Sequence, residues 1–289
     1  MIRSHGDNEK LRMPRLGMII PTNQNHIMSA TLTAPSLVSE KQKQQFKDEG
    51  YFILENCVPS EHLELLRDNC QSFIDDVNAE MDAKGVDRLG ISARGKRYFV
   101  SGCYKKKPVM GRFIFSDLMA DICRATLGDT AYLFHDQYVV KGADKDSAFS
   151  WHQDSGYVHH DCPMYLSCWI TLDDVTLENG TIYVLPYSEV GIRSVVTHLK
   201  DPKTNDMVGY FGKNPGIPAI VPAGSIVVFS SYVFHRSGPN LTDKMRRIFL
   251  AQYSPEVILT LQGKVWGQDV PFLKNGENVW REEDAVAAR

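Results

Sequence analysis

The spacing of apolar residues divides the chain into three textures. Residues 1 to about 38 show no sustained period and are expected to form a flexible arm, leaving 39–289 as a single domain. Apolar positions three and four apart then mark helices. Ser39 with Gln42 makes a capping box, Gly50 stops the helix behind it, and Tyr51 to Leu54 reads as a short strand. A second helix starts behind Pro59-Ser60. Glu61 and Glu64 complement its dipole, Leu63, Leu66, Cys70, Phe73, Val77 and Met81 form its apolar stripe, and Gly85 ends it. A third runs from a Ser116 cap through Leu118, Met119, Ile122 and Leu127 to Gly128.

After Gly128 the period falls to two. Ala131 to Lys141 reads as a long strand with Leu133, His135, Gln137, Val139 and Lys141 on one face. Further strands are expected at Leu166 to Leu172, Thr181 to Leu185, Ala219 to Val221, Ser225 to Ser230 and Arg247 to Tyr253, divided by Gly, Pro and Asn turns. Helices gathered before a run of short strands predict a mainly β (α+β) chain whose β part is a sandwich or barrel.

Composition narrows the partners. With 289 residues, 43% hydrophobic and 23% charged, the chain has ample core for an ordinary globular protein. A net charge of -3 gives no reason to expect nucleic acid or an anionic membrane surface. No apolar run approaches the ~18 residues of a membrane span. Six cysteines without a CxxC pair favour reduced thiols and a cytoplasmic location. The N-terminal basic residues lack the apolar core of a secretion signal. Lys105-Lys106-Lys107 reads as a solvated loop, with a contact to an anionic ligand as the other option.

Candidate chemistry begins at Trp151-His152-Gln153-Asp154. On extended backbone, His152 and Asp154 project to the same side, and a distant His235 would complete a set of two imidazoles and one carboxylate. On one face of an octahedral ion, that set holds non-haem Fe(II) and leaves three positions open for oxygen chemistry. The triplet has a rival with the same spacing, His159 and Asp161. Trp151, able to wall a site, and the turn at Ser155-Gly156 favour the first. His235 stands at the end of an apolar strand running from Ser225 to Phe234. Alone it would read as a satisfied strand-end histidine, but Ser237 and Arg246 follow it. A 2-oxoacid filling two metal positions needs a fixed cation for its distal carboxylate, which the planar fork of arginine binds bidentately. Arg246 and Arg247 face opposite ways if extended, so one of them can enter the barrel.

From about Gln45 to Tyr253 the chain resembles the phytanoyl-CoA dioxygenase family. The resemblance rests on Phe46-Lys47-Asp48-Glu49-Gly50-Tyr51, Trp151-His152-Gln153-Asp154, Trp169 to Pro186 around Glu178-Asn179-Gly180, and His235 to Asn240 ending at Arg246. It implies a double-stranded β-helix (jelly roll, cupin-like) core with N-terminal buttressing helices. It also implies a dioxygenase that uses Fe(2+), O2 and 2-oxoglutarate as co-substrate, and that hydroxylates a small organic molecule with release of succinate and CO2. By similarity His152, Asp154 and His235 would ligate iron. Arg246 and Ser237 would bind 2-oxoglutarate, Gln137 would contact it from the preceding strand, and Trp169 would wall its pocket. A helper lysine would lie among Lys105, Lys106 and Lys107.

Two details qualify the resemblance. Pro186-Tyr187-Ser188-Glu189 replaces the usual Pro-Gly-Ser-His, which bears on the local turn and not on the ligands. Asp154 is kept where halogenating relatives carry a small residue, which disfavours halogenation. Substrate would bind at the barrel mouth among Tyr98 to Tyr104, Tyr157 to Asp161 and the lid-like Ile192 to Tyr210, whose aromatic content points to a partly apolar molecule. A zinc-type metallohydrolase using the same ligands and a non-catalytic ligand-binding jelly roll are the alternatives. Oligomeric state is left open.

Overall fold

The computed structural model describes residues 36–145, 147–158, 162–202 and 206–283. Residues 1–35 of the expected N-terminal arm and the rival His159 and Asp161 therefore lie outside the described residues, whereas Val38, expected in that arm, is buried in the core. Ser36–Arg289 forms one compact unit. No described helix is long and apolar enough to cross a membrane.

The N-terminal elements form where local chemistry dictates. Helix α1 (Glu40–Glu49) carries the reciprocal Ser39–Gln42 capping box, and left-handed Gly50 turns the chain into β1 (Tyr51–Leu54). Helix α2 (Ser60–Lys84) buries Leu66, Cys70, Phe73, Ile74 and Met81, and Gly85 caps it in the left-handed region. A hairpin follows from β2 (Arg88–Leu89) and β3 (Ser92–Ala93) into β4 (Arg97–Ser101). Three helices, α3 (Cys103–Lys106), α4 (Gly111–Ile114) and α5 (Asp117–Thr126, capped by Ser116), complete the helical layer. Lys105 and Lys106 thus belong to a helical turn, not to a loop.

Beyond Gly128 the strands are β5 (Ala131–Lys141), β6 (Phe149–His152), β7 (Leu166–Thr171) and β8 (Ile182–Leu185). A short helix, α6 (Tyr187–Val190), precedes β9 (Leu199–Lys200), β10 (Met207–Val208) and β11 (Ile217–Pro218). Then come β12 (Ile226–Ser230), β13 (Phe234–Ser237), β14 (Arg246–Ser254), β15 (Val270–Lys274) and β16 (Glu277–Asn278). A four-stranded sheet in the order β11-β8-β13-β6 opposes a large sheet whose centre runs β12-β7-β14-β5. Eight strands of the two sheets thus wind into a double-stranded β-helix, and β1 and β4 extend the large sheet at either side.

The large sheet is covered on both faces, so its central strands read as continuous apolar runs. On one face Phe249, Ala251, Tyr253, Cys168, Ile170 and Val228 pack against the helices. Hydrogen bonds from Tyr138 Oη to the Leu66 carbonyl (2.9 Å) and from Tyr253 Oη to the Ile114 carbonyl (2.6 Å) tie the two layers. On the other face Trp169, Val227, Phe229, Ile248 and Leu250 meet Ile182 and Val184 of the small sheet.

Three strand readings are corrected. The strand expected at Ala219 to Val221 falls earlier, at β11, and Val221 makes only an isolated bridge to Val175. The apolar run Ser225 to Phe234 is not one strand: β12 ends at Ser230, the chain turns, and His235 belongs to β13 in the opposite sheet. The alternation along β5 also breaks. Gln252 pairs with His135 and Tyr253 with Leu133, so Phe134 is an extra residue without a partner on β14. Leu133 therefore joins the helix-facing core, while His135, Gln137 and Val139 face inward.

Gly50 is where helix, strand and α6 converge. Its φ is +79°, and a Cβ there would stand 2.4 Å from Val233 Cγ2 and 2.6 Å from the Tyr187 ring. Gly50→Ala adds left-handed strain to overpacking, so urea unfolding should report a loss of about 2–5 kcal/mol.

Candidate active site

Strand pairing brings the first elements of the site together. β6 lies beside β13 with His152 opposite His235, and their ring centroids are 4.2 Å apart. Gln153 stays extended and turns its buried side chain to the other face, so Asp154, opening a single 3-10 turn, swings its carboxylate back toward the rings. Asp154 Oδ1 lies 3.5 Å from His235 Nε2 and 3.9 Å from His152 Nε2. One ligand atom from each of the three residues lies within 4.8 Å of the other two, a set able to hold a metal ion.

The surroundings fix which atoms face the centre. His152 Nδ1 lies 2.7 Å from the Ser150 carbonyl and His235 Nδ1 lies 3.1 Å from the Val233 carbonyl. A carbonyl can only accept, so both rings carry Nδ1–H and present a bare Nε2 lone pair. Asp154 Oδ2 accepts from the Ser167 hydroxyl and from Gln252 Nε2 at 2.9 Å, which leaves Oδ1 for the centre. Burial, reinforced by the neighbouring His235, pushes His152 down to about 3, so it is neutral at physiological pH. Burial pushes Asp154 upward, but the two imidazoles and the Ser167 hydroxyl outweigh it and hold the carboxyl well below the usual range. Both effects favour metal-ready protonation states.

The three residues open into a cavity of about 460 Å³ that is also lined by Gln137, Trp169, Ser237 and Arg246. Arg246 is 1% exposed. Its Nε is buried without a hydrogen-bond partner, its Nη1 reaches only the Val139 carbonyl at 3.5 Å, and its Cζ lies 5.5 Å from the Trp169 ring centre. Arg247 faces the other way and takes the nearby carboxylate, with Nη2 2.6 Å and Nε 3.0 Å from Asp173. Burial lowers Arg246 to about 10, which leaves it charged at neutral pH. A buried cation with open donors and no carboxylate partner among the described residues calls for an anion in the cavity.

Lys141 is the residue that sequence reading missed. It is 1% exposed, and its Nζ donates to Ser237 Oγ and to the Gly238 carbonyl, both at 2.7 Å. Burial, with the Arg246 charge next, pushes its ammonium well below the ordinary lysine range. Because Lys141 Nζ donates to Ser237 Oγ, the Ser237 proton is free to point into the cavity. The signal was present in the alternation that put Lys141 on the Gln137 face. Ser167 and Gln252 carried a similar signal, as polar residues on inward faces otherwise held by Trp169, Ile248 and Leu250.

Other expected participants fall elsewhere. Trp151 packs behind the site on Tyr210 and under Arg236 and does not line the cavity. Lys107 donates to Ser72 and lies over Phe73, so it belongs to helix packing, and Lys105 and Lys106 are absent from the cavity wall. None of Ile192 to Tyr210 lines the cavity among the described residues. That segment instead grips Gln153, whose side chain bonds the Ser194 and Tyr232 carbonyls and the Val196 amide, while the Gln153 backbone N–H donates to His198. Of Tyr98 to Tyr104, Phe99 reaches the wall; Tyr157 and Val158 do so from the third expected segment.

Comparisons with known proteins give one consistent picture. Residues 46–248 match the family described as phytanoyl-CoA dioxygenase (PhyH). An L-proline trans-4-hydroxylase from Streptomyces griseoviridis is 26% identical over 175 residues, covering 53% of this chain and 65% of that protein. An ectoine dioxygenase from Bordetella bronchiseptica is 24% identical over 238 residues, 76% of each chain. Among solved structures, EvdO2 from Micromonospora carbonacea var. aurantiaca complexed with 2-oxoglutarate aligns with TM-score 0.59 and 22% identity over 76% of this chain and 95% of that one. EctD from S. alaskensis with 2-oxoglutarate and 5-hydroxyectoine aligns with TM-score 0.59 and 21% identity, covering 86% and 88%. These structural likenesses share the fold.

Ser167→Ala removes a hydroxyl that holds Asp154 and touches none of the other candidate ligands. Calorimetry with Co(II), a redox-silent probe, is expected to show about 10–100-fold weaker binding; unchanged affinity would remove Ser167 from the support of the site.

Proposed function

The chain belongs to the phytanoyl-CoA dioxygenase family, and we propose on that premise that His152, Asp154 and His235 hold iron while Arg246 anchors 2-oxoglutarate. The enzyme is an Fe(II)- and 2-oxoglutarate-dependent dioxygenase acting on a small organic molecule. Hydroxylation is the proposed outcome, as the names of the proline and ectoine relatives state for their own substrates. When bound, Fe(II) couples O2 and the decarboxylation of 2-oxoglutarate, to succinate and CO2, with oxidation of the substrate.

The protein's own contribution is position and exclusion. Nε2 of His152, Nε2 of His235 and Oδ1 of Asp154 supply three lone pairs on one side, leaving the cavity side open. The guanidinium of Arg246 and the Ser237 hydroxyl grip the distal carboxylate, with Lys141 fixing the direction of the hydroxyl proton. Trp169 walls the guanidinium and Gln137 faces the same space. Phe229, with its ring centroid 4.7 Å from that of His235, helps keep water from the reacting carbon.

The single observation that carries this reading is the buried, uncompensated Arg246 in the same cavity as the imidazole–carboxylate set. A hydrolytic zinc site would need a general base beside metal-bound water. Asp154 is the sole carboxylate lining the cavity among the described residues, and its oxygens are already committed. A reducing, cytoplasm-like compartment and a small-molecule partner rather than nucleic acid complete the proposal, supported by six unpaired cysteines and a net charge of -3.

Succinate formation is expected to require Fe(II), 2-oxoglutarate and oxygen together, and to vanish in Asp154→Ala. Arg246→Met should raise the KM for 2-oxoglutarate at least ~100-fold, the loss of about two charge-assisted hydrogen bonds. An unchanged KM in that variant, or hydrolysis without oxygen, would overturn the assignment.

A further inference from the structure

Once metal ligands and co-substrate residues are subtracted, what is left of the cavity is a chamber of distinctive chemistry. Its wall is built from Phe99 of β4, Phe134 at the β5 bulge, Tyr157 and Tyr165, with Trp266 at the entrance and His135 as a polar insert. The bulge is what makes Phe134 available. It turns the ring inward, 4.8 Å from the Tyr165 centroid, and leaves its carbonyl to accept Gln268 N–H at 2.9 Å. Gly267, with φ +92°, lets the incoming loop lie on that ring, since a Cβ there would stand 2.3 Å from the Phe134 carbonyl.

The mouth continues the theme. Ile91, Tyr157 and Trp266 come from three separate segments, line the same cavity and are 59%, 47% and 38% exposed. Large apolar side chains held open to water around one entrance favour apolar ligands.

Charge is scarce in this chamber. Among the described residues, the charged groups of the cavity wall other than histidine are Asp154, Arg236 and Arg246. Asp154 and Arg246 are occupied by the metal and co-substrate roles proposed above. The Arg236 guanidinium is stacked 3.8 Å from the Tyr183 ring centre and donates to the Pro215 carbonyl at 3.2 Å, outside the chamber. A substrate bearing both ammonium and carboxylate would therefore lose its hydration with no charged partner for either group among the described residues, a cost that apolar contact does not return.

One polar handle remains. His135 has no hydrogen-bond partner among the described residues, lies next but one to Gln137 on the inward face of β5, and pairs in register with Gln252, the residue that holds Asp154. A group bound to His135 would thus lie beside the reacting centre.

We infer that the primary substrate is an uncharged, ring-bearing apolar molecule, clasped by Phe99, Phe134, Tyr157, Tyr165 and Trp266 and oriented by one hydrogen bond between His135 and a hydroxyl or carbonyl of the molecule. This inference rests on the dioxygenase reading, because that reading assigns Asp154 and Arg246 elsewhere.

The test is calorimetry without oxygen on protein loaded with Co(II) and 2-oxoglutarate. Uptake of those two is measured first, and its failure would sink the dioxygenase reading separately. Against 2-naphthol, naphthalene, L-proline and ectoine, we expect 2-naphthol to bind at least ~10-fold more tightly than either zwitterion. His135→Ala should weaken 2-naphthol by about 3–10-fold and leave naphthalene unchanged. Trp266→Ala, at the entrance, should weaken both. Tighter binding of proline or ectoine would overturn the inference while leaving the iron and 2-oxoglutarate roles intact. Equal loss of 2-naphthol and naphthalene affinity in His135→Ala would overturn the orienting hydrogen bond.

Discussion

Arg246 keeps its charge in an interior where no described carboxylate partners it. The desolvation of a buried guanidinium costs several kcal/mol unless something in the cavity answers it, and the adjacent Asp173 is spent on Arg247. The rest of the site is arranged around that imbalance. Trp169 covers the cation with a π-face, Lys141 Nζ donates to Ser237 from behind, and the imidazole–carboxylate set stands across the same space. On the proposed roles, the site would be complete only when an anion and a cation arrive together.

The jelly roll makes this affordable. With helices on one face and the small sheet on the other, the large sheet's strands are anchored throughout, and the polar inward residues are few. Polar groups at Ser167, Gln252, Arg246 and Lys141 are tolerated because each has a fixed partner or faces the cavity. Alternation along β14 then separates the tasks of neighbouring arginines: one enters the cavity, the next ties the outer face to Asp173.

Much of this was legible in the sequence, and the exceptions have physical causes. Capping at Ser39 and Gly50, the α2 stripe and the β5 span follow from local rules, and the seven residues picked for the site line one cavity. The β5 face was misread at Leu133 because a bulge shifts the period by one without any change in composition. His235 was assigned to the wrong strand because a turn through Ser230-Ser231-Tyr232 has no Gly or Pro to mark it. Lys141 drew no role because a lysine on a strand face reads as solvated until burial is known. Ile192 to Tyr210 looked like a lid because its irregular texture says nothing about which surface it covers.

Gln153 gives that last segment a different meaning. Lying between two of the proposed ligands, it spends its entire amide on the chain from Ser194 to Val196 and on Tyr232, and its backbone N–H on His198. The angle between His152 and Asp154 is thereby held from outside the cavity, by a stretch of surface chain. With iron bound as proposed, retention of the ion would become a kinetic property: any opening of that stretch would free Gln153 and loosen the chelate. The lifetime of the loaded enzyme would follow the breathing of a segment that never touches the metal.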